Sequence, residues 1–258
     1  MTAAGDKAAG VDSRQAATDP AQQDQQDPRE AELLERLFAA VQGIQQAAAE
    51  AGRADQVRLL LATKLVDADR IASALRVGAA LIGENRVQEI TGKAPQLQGV
   101  LHEKHLIGPL QKNKINTALA AESAVDCVET VDSVELAAAI DQRVEPARGD
   151  GAVLDVMIQV NVSGEPSKSG VAPEQASALA AAVAGLPRLR LTGLMTIGLN
   201  SGDEAAVRRG YARLRELRDS LVPGGELSMG MSADYRAAIA EGATIVRLGS
   251  AVFGPRTG

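Results

Sequence analysis

The chain has 258 residues, 45% of them hydrophobic and 23% charged, which is enough for one domain with a large core. Its formal net charge is -6 and no dense cluster of Lys and Arg interrupts the mixed signs, so nucleic acid is not expected as a partner. No window approaches the ~18 to 20 apolar residues of a membrane span, and no basic segment followed by a hydrophobic one opens the chain. We therefore expect a cytoplasmic protein that binds neither nucleic acid nor membranes.

Aromatic residues are scarce, with no Trp and two each of Phe and Tyr. The core must therefore be built from aliphatic side chains, which suits parallel sheets and barrels. The single cysteine, Cys127, excludes an intramolecular disulfide and fits a reducing compartment. Because it stands alone in an apolar run, we interpret it as a small core hydrophobe.

The N-terminal residues 1–27 are rich in Ala, Gln, Asp and Gly and almost devoid of large apolar residues. They bury too little surface to offset their ordering entropy, so we predict a disordered tail. From Pro28 the composition changes, and one domain is predicted over residues 28–258. It opens with an amphipathic helix that stops at Gly52, whose apolar residues recur at helical spacing: Leu33, Leu34, Leu37, Phe38, Val41 and Ile44.

The first strand candidate, residues 57–64, is an apolar run that ends in Lys64. A run without helical polar spacing suits a parallel strand buried on both faces. A lysine at its carboxyl end is either a solvated strand terminus or an amine held at a site, because α/β folds collect their chemistry where parallel strands end.

Strand-like and helix-like patterns then alternate regularly. The further predicted strands are 79–82, 105–107, 124–128, 153–160, 189–197, 227–229 and 244–248, and the main predicted helices are 67–77, 111–121, 132–144, 173–184, 203–221 and 233–241. Eight strand-like runs in roughly 200 residues match a (β/α)8 barrel near its minimum size. An open doubly wound sheet is the main alternative, but the turn at 64–67 lacks the glycine fingerprint of a dinucleotide site.

The loops after the seventh and eighth strands have the character of a phosphate site. Residues 228–232 supply hydroxyls and a glycine before a helix, and residues 247–251 do the same. Taken singly, Ser232 and Ser250 are ordinary helix N-caps. Two such loops side by side in a barrel favour phosphate binding.

A reactive amine facing a phosphate cradle suits a ligand with an aldehyde at one end and a phosphate at the other, and pyridoxal 5'-phosphate (PLP) is that ligand. Desolvation in an apolar pocket would keep the Lys64 amine partly neutral. Arg247 is placed to meet the pyridine nitrogen. Because a guanidinium only donates hydrogen bonds and keeps its proton, it would leave that nitrogen unprotonated and the ring a poorer electron sink.

Seven ordered segments carry a resemblance to a known family: ATK at 62–64, GENRVQE at 83–89, HLIG at 105–108 with LQKNK at 110–114, SKSG at 167–170, GLMTI at 193–197, LSMGMS at 227–232 and RLGSAVFG at 247–254. They resemble the pyridoxal phosphate homeostasis protein family, which is similar to the N-terminal barrel of bacterial alanine racemase. The match runs from about residue 59 to residue 256 and leaves out only the tail and the leading helix.

The resemblance implies a (β/α)8 TIM barrel of the alanine racemase N-terminal type with PLP as its cofactor. It implies that Lys64 forms the internal aldimine and that Arg247 faces the pyridine nitrogen. Further residues follow by their match to the motifs: Ser232, Gly249 and Ser250 for the phosphate, Asn85 and Met229 beside the ring, and His105 and Asn161 as outer neighbours. The expected function is that of a monomeric carrier that maintains intracellular PLP, supplies PLP-dependent apoenzymes and has no strong catalytic activity.

Two enzyme functions are alternatives. An amino-acid racemase of this barrel type resembles a two-base catalyst that needs a tyrosine opposite the lysine, but Tyr211 and Tyr235 fall in helix patterns. The chain also stops at Gly258, directly after the predicted barrel, where the racemases add a second domain. A Schiff-base aldolase acting on a sugar phosphate would likewise use a lysine and a phosphate site, and bound chromophore would distinguish it.

Some positions depart from the family pattern or have plain structural interpretations. Lys104 stands where an aromatic residue is common, Pro109 where a polar one is, and Arg236 where an acidic one is. We interpret Glu84 and Asp234 as carboxylates at helix starts. We interpret Lys112 and Lys114 as a solvated basic edge. The two histidines, His102 and His105, are too few for a metal site.

Overall fold

The computed structural model describes residues 28–53, 57–121 and 123–255, so the predicted tail at 1–27 lies outside the described residues. Eight parallel strands form a closed barrel in sequence order, and β8 pairs with β1. This confirms the predicted (β/α)8 barrel. The strands are β1 (Arg58–Ala62), β2 (Leu81–Glu84), β3 (Glu103–Leu106), β4 (Cys127–Val131), β5 (Leu154–Gln159), β6 (Leu189–Met195), β7 (Glu226–Ser228) and β8 (Ile245–Leu248).

Helices cover the outside of the barrel. They are α1 (Pro28–Glu50), α2 (Ala68–Arg76), α3 (Val87–Lys93), α4 (Ile115–Leu119), α5 (Val134–Arg148), α6 (Ala176–Ala184), α7 (Glu204–Leu221), α8 (Tyr235–Ala240) and the short α9 (Ser250–Phe253). The predicted helix at 111–121 is shorter than expected, because its first turn is the 3-10 helix Lys112–Lys114. Among the described helices, none is long and apolar enough to cross a membrane.

The leading helix α1 packs on α2, α8 and α9, beside the seam where β8 meets β1. Of its predicted apolar stripe, Leu33, Leu37 and Ile44 are buried, whereas Phe38 is 53% exposed. The helix thereby braces the wall of the barrel that carries the ends of β1 and β8.

Two hydrophobic clusters fill the fold. The larger one lies between the sheet and the helices, and a smaller one fills the barrel interior with Leu60, Leu81, Cys127, Met157, Met195 and Ile245. Cys127 is 3% exposed, which agrees with its interpretation as a core residue. Burial, followed by the negative charge of Glu129, raises the pKa of its thiol well above the ordinary value.

Among the strands, β4 differs most from its predicted range. It was predicted at 124–128 and occupies Cys127–Val131. Glu129 and Thr130 are polar and lie beyond the predicted strand, yet both are buried. Each has a partner inside the protein, since Thr130 Oγ1 donates to the Gly108 carbonyl at 2.8 Å and Glu129 joins a polar network described below.

Candidate functional site

Lys64 lies in the turn after β1, two residues beyond the strand end at Ala62 rather than within the strand. The turn is closed by the Val66 N–H, which donates to the Thr63 carbonyl at 2.9 Å. Leu65, at its tip, is 73% exposed and has a φ of 61°, a left-handed conformation that is costly for a branched residue. Lys64 is half-buried, and no hydrogen bond or ion pair joins its amine to the described residues.

The strand register places Lys64 between two loops. Ala62 pairs with Gly83 of β2, so Asn85 follows on one side. Leu61 pairs with Leu248 of β8, so Gly249 and Ser250 follow on the other. A Cβ on Gly249 would lie 3.1 Å from the Ala62 carbonyl oxygen, which shows how closely the two chain segments approach.

Two serines come together beside this turn. Ser232 lies in the loop after β7 and Ser250 begins α9, and the Ser250 hydroxyl donates to Ser232 Oγ over 3.5 Å. Neither serine is an N-cap, so that interpretation is wrong. The N-cap residues are Asp234 for α8 and Gly249 for α9. The hydroxyls are therefore not engaged in capping, and the first backbone N–H groups of α9 have no acceptor within the helix.

The loop after β7 is shaped by Gly230. Its φ is 93°, and a Cβ there would lie 2.5 Å from the Ala238 Cβ. Only glycine fits this turn without displacing α8. The Arg247 N–H donates to the Gly230 carbonyl at 2.9 Å, so the loop is bound to β8.

Arg247 belongs to a buried polar network inside the barrel. Its Nη1 donates to Ser228 Oγ at 3.0 Å and its Nη2 to the Thr196 carbonyl at 2.7 Å. Ser228 in turn donates to Glu129 Oε2 at 2.5 Å, and His105 Nδ1 lies 2.6 Å from Glu129 Oε1. Four strands, β3, β4, β7 and β8, thus contribute side chains to one connected group.

The charges in this network support each other. Burial lowers the pKa of Arg247, and the negative charge of Glu129 opposes that change. Burial alone would raise the pKa of Glu129, but its hydrogen bond to His105 and its electrostatic interactions with His105 and Arg247 hold it below the ordinary value. Arg247 is consequently a cationic donor with a fixed orientation.

The sequence matches known proteins over nearly all of this barrel. The family described as alanine racemase, N-terminal domain, matches residues 24–257. The pyridoxal phosphate homeostasis protein of Pseudomonas aeruginosa is 44% identical over 227 residues, which are 87% of this chain and 96% of that protein. Its counterpart in Aquifex aeolicus is 40% identical, covering 86% of this chain and 97% of that protein.

This chain belongs to the pyridoxal phosphate homeostasis protein family.

Solved structures agree with the family assignment. PipY of Synechococcus elongatus with PLP bound is 31% identical, with a TM-score of 0.71 over 86% of this chain and all of that one. A protein from Bifidobacterium adolescentis, described only as an unknown protein, is 42% identical, with a TM-score of 0.79 over 88% of this chain and 97% of that one. Alanine racemase of Corynebacterium glutamicum shares the fold. It is 19% identical, with a TM-score of 0.60 over 87% of this chain and 62% of that one.

The other residues that the family resemblance singled out have separate environments. Asn85 is half-buried, and its carbonyl packs so closely on Gly108 that no side chain would fit there. Met229 is fully buried in the cluster between sheet and helices. Asn161 holds its own loop, because its side-chain amide donates to the carbonyls of Glu165 and Lys168 at 2.9 and 3.1 Å.

The two acidic residues interpreted as helix starts have specific partners. Glu84 ends β2 before α3 begins, and it binds Lys93 and Thr63. Asp234 does occupy the N-cap position of α8, but its carboxylate accepts from the Met231 N–H and from the Tyr211 hydroxyl, each at 2.7 Å.

Sequence reasoning did not identify Glu129, and it assigned the Ser228 hydroxyl to the phosphate loop, whereas Ser228 bonds Glu129 and Arg247 inside the barrel. The available signal was a carboxylate and a hydroxyl at alternating positions of apolar strands, the positions that face the barrel interior.

Lys104, where this chain departs from the family pattern, lines a cavity of about 560 Å³ together with Glu84 and His102. In the part of the chain that the structure describes, no group of three or more His, Cys, Asp or Glu residues could hold a metal ion.

Proposed function

We propose that this protein binds PLP, carries it covalently on Lys64 and maintains the intracellular supply of the cofactor by passing it to PLP-dependent apoenzymes. The observation that carries the proposal is the half-buried Lys64, which has no partner among the described residues and lies next to the Gly249–Ser250 turn. The family relationship supports the same conclusion, since its curated members are named for pyridoxal phosphate homeostasis.

The donor set fits the two ends of the cofactor. Lys64 would condense with the aldehyde, forming a C=N bond while the aldehyde oxygen leaves as water. Ser232, Gly249 and Ser250 would hold the phosphate through two hydroxyls and the first N–H groups of α9. A helix start together with hydroxyls is a common anion site in barrels of this type.

The remaining residues would orient the ring. Arg247 would donate to the pyridine nitrogen, with Ser228 and Glu129 fixing the guanidinium. Asn85 would border the ring; the family pattern adds Met229, whose side chain is buried between the sheet and the helices. When bound, PLP supplies an electrophilic carbon and an electron-withdrawing ring, and a guanidinium at the ring nitrogen would weaken that withdrawal.

The test is a visible absorption spectrum of the purified protein before and after borohydride, followed by peptide mapping of the reduced adduct. We expect a chromophore that borohydride bleaches and a single modified peptide containing Lys64. Lys64→Ala should abolish fixation, whereas the exposed-lysine control Lys112→Ala should retain it. Equal fixation in Lys64→Ala, or an adduct on another lysine, would contradict the assignment.

The carrier function has its own measurement. A PLP-dependent apoenzyme mixed with the loaded protein should regain activity, and the rate should exceed that with the same concentration of Lys64→Ala incubated with PLP. We expect no sustained turnover of D- or L-alanine by the loaded protein. We also expect a cytoplasmic monomer, which sedimentation and cell fractionation would check.

A further inference from the structure

A second buried polar group lies between β2 and α3, behind the turn that carries Lys64. The Glu84 side chain is 2% exposed, and its Oε1 accepts from Lys93 Nζ and from Thr63 Oγ1, each at 2.6 Å. Its Oε2 is buried and has no hydrogen-bond donor among the described residues, and the same is true of Glu89 Oε2. Two such oxygens need an explanation, because an unsatisfied buried oxygen costs free energy.

A single proton explains both oxygens. Lys93 supplies one positive charge, 2.6 Å from Glu84 and 4.0 Å from Glu89 Oε2. If both carboxyl groups were ionised, two buried negative charges would face one ammonium. A proton on Glu84 Oε2 that is donated to Glu89 satisfies both oxygens and leaves Oε1 free to accept from Lys93 and Thr63.

The energetics of Glu84 agree with this geometry. Burial raises its pKa, and so does its hydrogen bond to Glu89, while the contacts with Lys93 and Thr63 lower it. The raising effects are larger and bring the pKa of Glu84 to about 7. The acid pair, Glu84 and Glu89, therefore changes its charge in the physiological pH range.

The acid pair is connected to the lysine turn by one ammonium. Lys93 Nζ donates to Glu84 and also to the Thr63 carbonyl oxygen at 2.8 Å. That carbonyl belongs to the peptide that joins Thr63 to Lys64, and it also accepts the Val66 N–H that closes the turn. Lys93 consequently holds the acid pair and the turn at the same time.

We propose that Glu84 and Glu89 share one proton and that this pair, acting through Lys93, positions the turn bearing Lys64. Loss of the proton would add a negative charge, draw the ammonium toward Glu89 and weaken its bond to the Thr63 carbonyl. The turn would then open more readily and release PLP faster at higher pH. The link to PLP rests on the proposed function, whereas the shared proton and the opening of the turn do not.

Charged groups on each neighbouring element contribute to this titration. Thr63 faces Glu84 from the end of β1, and Glu89 and Lys93 face it from α3. Across the cavity, His102 and Lys104 line the same space as Glu84. The positive charge of Lys104 favours the ionised pair, so Lys104→Met should move the titration to higher pH.

The first measurement detects the proton in the protein without PLP. Infrared difference spectra should show a protonated carboxyl at about pH 6, where exposed carboxyls are ionised, and its loss toward about pH 8. Glu84→Gln should lack this band, since its amide replaces the acid O–H as the donor to Glu89. Glu165→Gln, which alters a lysine-paired carboxylate in another loop, should keep it. Absence of the band in the wild type would overturn the shared proton.

The second measurement follows the turn itself, through hydrogen exchange of the Val66 amide in the protein without PLP. Glu84→Gln mimics the protonated acid at every pH, so the ratio of wild-type to Glu84→Gln exchange removes the intrinsic pH dependence. We expect a ratio near one at about pH 6 and roughly fivefold at about pH 8, the equivalent of one ordinary hydrogen bond. Lys93→Met should lose the rise in Val66 exchange between about pH 6 and pH 8 while keeping the infrared band.

The release of PLP should follow the same profile. The wild-type release rate should rise relative to Glu84→Gln over the same pH range, and Glu165→Gln should behave as the wild type. A flat exchange ratio with the band present would overturn the positioning role. If Lys64 carries no PLP but the band and the Val66 step are present, the proposed function fails and the acid pair stands.

Discussion

Replacing Glu129 with Leu would leave the Arg247 guanidinium buried without its carboxylate. Glu129 is fully buried and accepts at 2.5 Å from Ser228, whose oxygen lies 3.0 Å from Arg247 Nη1. Leaving a buried charge without the opposite charge that compensates it costs about 3 to 5 kcal/mol. At about 2 to 4 °C per kcal/mol for a domain of this size, the unfolding midpoint should fall by about 6 to 20 °C.

A double-mutant cycle separates this electrostatic cost from lost packing. Arg247→Met removes the guanidinium, so the double variant Glu129→Leu/Arg247→Met no longer buries that group without its carboxylate. The double variant should lose less free energy of unfolding than the two single variants lose together, by about 2 kcal/mol or more. Thermal unfolding at neutral pH without PLP gives all four values. The control is Arg190→Met, which breaks an exposed pair with Asp155 and should leave the midpoint almost unchanged.

Two outcomes would refute this reasoning. A midpoint for Glu129→Leu within about 2 °C of the wild type would mean that the buried guanidinium does not need its carboxylate. Additive single losses would mean that Glu129 and Arg247 do not interact. Either result would remove the basis for regarding Arg247 as a donor of fixed orientation.

Four further predictions concern Glu84, Glu129, Arg247 and the N-terminal residues. The folded-state pKa of Glu84 is raised, so its contribution to stability is present below about pH 4.5 and is lost as pH rises through about 7. Over that range the free energy of unfolding should fall by about 3 kcal/mol relative to that of Glu84→Gln. Equal pH dependence in the two proteins would contradict this. The pKa of Glu129 is lowered, so its contribution is lost as pH falls below its ordinary range, which acid unfolding of wild type and Glu129→Gln would test. Arg247→Glu should raise deuterium incorporation into alanine slightly at equal PLP occupancy, because a carboxylate favours the protonated ring; equal or lower exchange would disprove the electron-sink argument. Deletion of residues 1–27 should leave PLP content and the unfolding midpoint unchanged, and a large loss of either would show that the tail packs on the barrel.

The barrel could be predicted because its information is local. Apolar runs of strand length and helical spacing are properties of neighbouring residues, and their regular alternation admits few topologies. The approach of Lys64 to Gly249 and Ser250 also followed, since closing eight parallel strands brings the ends of β1 and β8 together.

The polar network could not be predicted, because its contacts are not local. Glu129 bonds His105 from 24 residues away and Ser228 from 99 residues away. In the sequence, the charged Glu129 interrupts an apolar run, so the pattern ends the predicted strand at residue 128, whereas β4 continues to Val131. The same holds for Glu84, whose position before a helix suggested a dipole contact although its partners are Lys93 and Thr63.

The tyrosines bear on why a racemase-like barrel would act as a carrier. Tyr211 is fully buried and donates its hydroxyl to Asp234 at 2.7 Å. Burial, followed by the charge and hydrogen bond of Asp234, raises the pKa of Tyr211, so the phenol keeps its proton and cannot accept one. The Tyr235 hydroxyl lies against Gly43 of α1, outside the barrel. Neither tyrosine of this chain is thus available as a base opposite Lys64. Changing Arg247, the proposed partner of the PLP ring, would remove one restraint and leave this one in place, which is why the expected gain in proton exchange is small.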